Sequence, residues 1–459
     1  MPSFNSSINS ACGQAKQQLG NKAGTAPATK IDLMDFGALL VLITGLVVFL
    51  TLAGLLVDRP EWGIPLVALG AAATVSGFTR ALSSFAGFAV YIGDAAAAAL
   101  LVALGIQLLA GRPLRRPAFG WAGLLLLAAL ALLRGLGAFG VQAVVQSYRN
   151  ELQLLCAGLF FAAQQIPLAR VELFLRRTWV AIGICMSAVA ILFVLRFGLN
   201  SSVPGRDRPL NASQALLTSQ AVFFLLARGR QGKSNWLAAY LGFIVLLSQQ
   251  RTVWIATLLA TFAIWSVLAP SGRMKQRVSA AVGALVALLI ALMTVLSETT
   301  AGIALQKTVT EDRTLLWRFE GWSYLVSQQI DGLGLNLALG NPAGKGAARR
   351  VAGQFTTVSA HSQWITELLA GGIIALILFA LVTVVPLTKT WRQDLKLRVP
   401  SPLLAVTVAA MTFTISYQLG PEQGVLFGLL GATLGTQAAV ANQARGAEEP
   451  RVVEAHPSG

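Results

Sequence analysis

Charge is scarce in this sequence. Only 12% of its 459 residues are Asp, Glu, Lys or Arg, against about 25% in soluble domains, and that shortfall excludes an ordinary soluble fold. Histidine occurs twice, at His361 and His456. Cysteine occurs three times, as Cys12, Cys156 and Cys185 with no paired spacing, so neither a disulfide framework nor a cysteine metal site is implied. The sequence also lacks a paired Asp/Glu metal motif, His/Cys ligand spacing, a phosphate loop and a nucleophile elbow. No metal and no cofactor are therefore expected. Gly332-Leu333-Gly334 is too short for a dinucleotide fingerprint.

What abounds is apolar: 55% of the chain is hydrophobic. Runs of about 20 such residues recur almost throughout, which predicts an all-α, polytopic integral membrane protein, because open strands cannot cross lipid. The net charge of +16 raises the question of nucleic acid. Its lysines and arginines cluster in short loops between apolar spans, a distribution suited to membrane topology and anionic lipid contact, so no nucleic-acid partner is expected.

Basic clusters fall at Arg112, Arg115, Arg116; Arg170, Arg176, Arg177; Arg228, Arg230, Lys233; Arg273, Lys275, Arg277; and Lys389, Arg392, Lys396, Arg398. The positive-inside rule assigns these loops to the cytoplasm. Spans at 36–57, 86–110, 118–136, 151–167, 178–197, 212–227, 235–250, 252–269, 278–297, 363–386, 401–418 and 423–441 satisfy that assignment. They make about twelve transmembrane helices. The resulting organisation is a cytoplasmic tail over 1–35, membrane helices over 36–297, one large outer loop over 298–362, membrane helices over 363–441 and a cytoplasmic tail over 442–459. The apolar piece 64–81 breaks the parity if it crosses, and is expected to be re-entrant or to lie on the outer side. A loop as long as 298–362 inside a compact protein is usually functional.

His456 belongs to the tail, whereas His361 stands where the outer loop enters a span. Imidazole suits proton transfer near neutral pH. Arg80, Arg134, Arg149, Arg196 and Arg251 fall at or near outer span ends, and the loop adds Arg313, Arg318, Arg349 and Arg350. Ser248-Gln249-Gln250-Arg251 is so short a polar break between apolar runs that Arg251 must sit at the membrane boundary, where a charge needs a partner. Guanidinium forks bind phosphate bidentately, so a ring of outer arginines fits a lipid pyrophosphate. Snorkelling to headgroups, or pairing with Glu151, Asp94 or Glu311, is the bland account of the same arginines, with snorkelling favoured for Arg149 and Arg196 and not for Arg251. Asp94 is expected to be buried and paired.

Three segments resemble a known family. His361-Ser362-Gln363-Trp364-Ile365 followed by Gly371-Gly372-Ile373 is similar to the closing pattern of the outer loop in the O-antigen ligase and polymerase superfamily of bacterial envelope glycan transferases. Arg251 after Ser248-Gln249-Gln250 resembles its Ser-Arg element, and Asp312-Arg313-Thr314-Leu315-Leu316-Trp317-Arg318 with Trp322 and Gly332-Leu333-Gly334 resembles its arginine, aromatic and Gly-x-Gly segment. Both Arg313 and Arg318 fit the arginine, since each has a Trp four residues on; spacing to the glycines favours Arg313, and the repeated Arg-to-Trp step keeps Arg318 open. A glutamate common two residues before the first glycine is replaced by Leu369, with Glu367 earlier.

The resemblance implies a fold like that of the class C glycosyltransferases, in the bacterial inner membrane with a periplasmic loop. It implies an O-antigen ligase activity in lipopolysaccharide biosynthesis: polysaccharide moves en bloc from undecaprenyl pyrophosphate to the lipid A-core, without metal and with inversion. The implied site is His361 as base or donor ligand, with Arg251, Arg313, Arg318 and Arg80 on the pyrophosphate and Gln249, Gln250, Trp364 and Arg134 near the substrates. Implied partners are the lipid-linked donor, the lipid A-core acceptor and membrane lipids. O-antigen polymerase and protein O-oligosaccharyltransferase share the motifs. A secondary transporter or flippase could also have about twelve helices, but would show matching interrupted helices in two halves.

Overall fold

The computed structural model describes residues 36–75, 83–85, 88–198, 208–226, 232–268, 313–331, 334–346, 348–351, 354–356 and 360–433, with single residues at 276, 279 and 283. Both predicted tails, Arg80, nearly all of the 278–297 span and the start of the large loop lie outside the described residues. The chain divides after Leu50 into two units. The described part of the first is the start of an apolar helix, α1 (Phe36–Asp58); its last turns belong to the second unit, which holds everything that follows.

That second unit is helical. A turn over Pro60–Trp62 leads into α2 (Gly63–Val75), and a small hairpin, β1 (Ser83–Phe85) with β2 (Phe88–Val90), precedes α3 (Ile92–Leu109). Then come α4 (Arg116–Phe139), α5 (Val141–Ala163), α6 (Leu168–Phe197), α7 (Ala212–Leu226), α8 (Gly232–Leu247) and α9 (Arg251–Val267). The loop region contributes α10 (Arg313–Asp331), the single turn α11 (Leu335–Leu339) and a second hairpin, β3 (Arg349–Val351) with β4 (Gln354–Thr356). Finally α12 (Gln363–Leu397), α13 (Pro402–Thr414) and a helix over 421–433, α14, complete the bundle.

Four helical segments among the described residues are long and apolar enough to cross a membrane: Ile92–Leu109, Arg116–Ala163, Leu168–Phe197 and Gln363–Leu397. The second is two helices, α4 and α5, which meet at Gly140 with φ 76°. Much of the apolar surface faces outward, as on Leu126, Leu133, Leu192 and Leu195, which is the pattern of helices solvated by lipid. Small residues let helices approach: a Cβ on Gly158 would strike Trp121, and one on Gly424 would strike the Leu154 carbonyl.

The bundle has two distinguishable ends. At the basic end Arg115 donates to the Gln164 carbonyl (2.9 Å), Gln107 and Gln164 exchange side-chain hydrogen bonds, and Gln107 Nε2 donates to the Val57 carbonyl (3.2 Å). Arg170 Nη1 lies 3.5 Å from the buried Glu61 carboxylate. The end of α1 and the start of α2 therefore sit beside Arg112, Arg115 and Arg170. Of the piece 64–81, expected to be re-entrant or to lie on the outer side, the described part starts beside the basic clusters: α2 enters the bundle from that end, with Ile64, Val67, Ala68 and Ala71 buried, and 76–81 lies outside the described residues.

Part of the predicted loop is also inside the bundle. The Ala343 N–H donates to the Ala131 carbonyl (2.9 Å), Gly344 N–H to Ser147 Oγ (3.0 Å) and Asn341 N–H to the Leu369 carbonyl (2.7 Å). Ala131 is eight residues before the end of α4, or about 12 Å along the axis at 1.5 Å per residue. Segment 334–346 is thus wedged among α4, α5 and α12, where protein groups satisfy its irregular backbone. Gly372 (φ 68°, ψ −162°) interrupts α12 where the segment presses on it.

Candidate functional site

His361 lies in the connector between β4 and α12, at the end opposite the basic clusters. Its φ is +51°, a left-handed conformation uncommon for a side-chain-bearing residue and one that surrounding contacts must maintain. Those contacts are specific. Trp322 Nε1 donates to the carbonyl of Ala360 (2.7 Å), Ser362 Oγ donates to the Thr414 carbonyl (3.3 Å), and Trp364 Nε1 donates to Thr414 Oγ1 (2.9 Å). The residues on either side of the imidazole are therefore tied to α10 and to α13.

The imidazole itself stands between two rings. The Trp317 ring centroid is 5.9 Å away, tilted, and that of Tyr417 is 6.4 Å away, edge-on. Each ring also carries a guanidinium: Arg349 lies 5.1 Å from the Trp317 centroid and Arg318 lies 4.7 Å from that of Tyr417. Burial, then the charges of Arg318 and Arg349, hold His361 below the ordinary imidazole pKa. Neutral imidazole can accept a proton.

Of the two candidate arginines of α10, Arg318 is the one whose side chain is described. Arg318 meets Tyr417, and its buried Nε has no hydrogen-bond partner among the described residues. Arg313 is the first residue of α10, five positions earlier, which turns it about 140° around the helix axis. Its side chain, like Arg80, lies outside the described residues.

Arg251 opens α9 directly after the Ser248-Gln249-Gln250 turn, in which Gln249 has φ +56°. Reversals through α6, α7 and α8 carry that turn to the histidine end. The Arg251 side chain is half-buried. The Gln249 backbone carbonyl accepts from Arg208 Nη1 (3.0 Å), and Gln250 Nε2 donates to the Leu210 carbonyl (2.9 Å). Arg134 is likewise engaged, donating to the Gly340 carbonyl (3.0 Å) and to Asn336 Oδ1, so it secures segment 334–346. Trp364 packs edge-on against Phe379 while its indole N–H holds Thr414. Arg149 is paired with Asp94 (3.3 Å) and donates to the Ala89 carbonyl, so Asp94 is paired as expected but only part-buried, and Arg149 is paired where snorkelling is the favoured expectation.

Three groups were absent from the sequence-derived site. Tyr417 carries no motif signal. Arg349 appears in the sequence only as one of two adjacent loop arginines, and is 1% exposed. Two residues after His361, Gln363 Nε2 donates to the carboxyls of Glu151 (3.0 Å) and Glu367 (2.8 Å), while its Oε1 accepts from the Leu419 N–H (2.9 Å). No group of three or more potential metal ligands occurs among the described residues.

The chain matches no model of a known protein family, and no curated protein sequence is similar to it.

Proposed function

We propose that this protein is a glycosyltransferase of the bacterial inner membrane that moves polysaccharide from undecaprenyl pyrophosphate onto the lipid A-core, at the face carrying His361. The observation that carries the reading is Arg318: a guanidinium beside the His361–Tyr417 pair, with a buried Nε that nothing among the described residues satisfies. A buried cationic donor without a partner fits an anionic ligand. The motif resemblance supplies the substrate class, and with about twelve crossings the histidine end becomes the periplasmic one.

In this reading Arg318 and Arg251 hold the pyrophosphate and offset the charge that develops as it leaves. An acceptor-sugar hydroxyl oxygen attacks the anomeric carbon, the bond from that carbon to phosphate oxygen breaks, and the hydroxyl proton passes to neutral His361. Undecaprenyl pyrophosphate departs, and a single displacement inverts the anomeric centre. Arg134, Gln249 and Gln250 then act by holding structure, whereas Arg313 and Arg80 are donor-binding candidates.

The test is glycan transfer in reconstituted membranes with purified lipid-linked donor and lipid A-core. His361→Ala, inserted and folded, should lose about 100- to 10,000-fold in rate, the usual contribution of a general acid–base group; unchanged transfer would remove the claim. Supplying repeat units or a serine-containing protein as acceptor separates the ligase from the polymerase and protein-glycosylating alternatives. A proton-coupled transporter or flippase is favoured by one observation, the buried Glu151–Gln363–Glu367 cluster. Donor movement without transfer, abolished by Glu367→Gln, would support that reading instead.

A further inference from the structure

We propose that Arg349 is a positioning residue for His361: its buried guanidinium pins the Trp317 indole, the ring against which the imidazole is oriented. Arg349 enters from β3, 1% exposed, and lies 5.1 Å from the Trp317 centroid. Trp317 in turn lies 5.9 Å from the imidazole. Arg349 packs on the Trp317 ring with its own surface covered, so it acts on His361 through that ring and through its charge and not by touching substrate.

Two features make this wall matter. A side-chain-bearing residue at φ +51° keeps that conformation only where its surroundings over-determine it. The opposite wall, Tyr417, is more distant at 6.4 Å and stacks on Phe413 (4.7 Å), so it is set by α13. Only the Trp317 side depends on the loop hairpin. Among the described residues, the charged and titratable groups around the imidazole from these elements are Arg318 of α10, Arg349 of β3 and Tyr417; both guanidiniums lower its proton affinity. Arginine suits the role better than lysine, because a planar guanidinium stacks on an indole face. The same residue therefore sets the orientation of the imidazole and helps keep it uncharged.

The inference concerns the site of the transferase reading and rests on it only for a kinetic arm. The chain has two histidines, so in a His456→Gln background a 13C-histidine label gives one imidazole signal. In the full chain in nanodiscs, Arg349→Gln should raise the His361 titration midpoint by about half to one pH unit, the effect of removing one partly screened charge. Arg349→Lys keeps the charge, so its midpoint should stay near wild type while the imidazole resonance moves as the Trp317 ring shifts. In the transfer assay Arg349→Lys should lower kcat about tenfold with donor KM nearly unchanged, the pattern of lost transition-state geometry. Imidazole spectra of both variants superimposable on wild type would overturn the proposal. If Arg349→Gln does not fold, Trp317→Leu removes the wall directly, and an unmoved His361 signal there overturns it equally. Absence of transfer in the unmodified protein would instead sink the transferase reading and leave the spectroscopic result standing.

Discussion

Burial and the neighbouring guanidiniums of Arg318 and Arg349 push the His361 imidazole below its ordinary value near 6.5. The lowered group stays neutral, and competent to accept a proton, further into acid than an unperturbed histidine. Transfer should therefore hold level through pH 7 and fall on the acid side with a midpoint below about 6.5. A kcat/KM profile with its acid limb at or above that value would contradict the base assignment. For Arg318, substitution by Lys keeps the charge and loses the fork, so kcat/KM should drop about 10- to 100-fold. The buried amide of Gln363 offers a stability test at the same scale. Gln363→Leu strips a donor from both Glu151 and Glu367 and an acceptor from the Leu419 N–H, whereas Glu367→Gln removes one carboxyl and leaves an amide. Thermal unfolding in detergent should show the larger loss for Gln363→Leu, by about 1–3 kcal/mol per unsatisfied group.

Among the elements, α12 and segment 334–346 are interdependent. Gly372 has backbone angles open almost only to glycine, and a Cβ there would land on the Ala338 carbonyl; Gly340 is in the same region against Ala370. Gly372→Ala should cost about 1–3 kcal/mol in backbone strain alone. Gly242 in α8 has open space around its Cβ position, and Gly242→Ala should be neutral or slightly stabilising. A comparison of thermal midpoints for the two variants checks the assignment. The helices themselves were legible because their apolar runs are long and uninterrupted. The wedge was not: Gly340, Asn341 and Ala343 look like loop residues, and their partners, Leu369 and Ala131, are remote in sequence. Arg318 could not be separated from Arg313 by spacing to a Trp, since the choice depends on which side of α10 faces Tyr417. Arg349 reaches Trp317 across 32 positions through a hairpin, a pairing with no local pattern behind it.

For the molecule as a whole, the consequence falls on topology. The turn between α1 and α2 carries Asp58, Arg59 and Glu61, so it has no net basic excess for the positive-inside rule to read. Charge alone therefore does not say at which end 64–81 begins. Packing places the turn with Arg112, Arg115 and Arg170. Trp62, 46% exposed, gives a probe: in a cysteine-free background, Trp62→Cys should react with a membrane-impermeant thiol reagent only from the cytoplasmic side. Labelling in intact spheroplasts from outside would overturn the assignment of ends.

The wedge formed by 334–346 also constrains how the protein is made. Its anchors on α4 and α5 are synthesised some two hundred residues before it, but its third anchor, the Leu369–Gly372 break of α12, emerges only afterwards. Arg134 waits in a forming bundle until Asn336 and Gly340 emerge, and their segment lacks the Leu369–Gly372 anchor until α12 has followed. The histidine end is therefore assembled late in biogenesis, and a ribosome stalled before α12 leaves an inserted chain with no complete site.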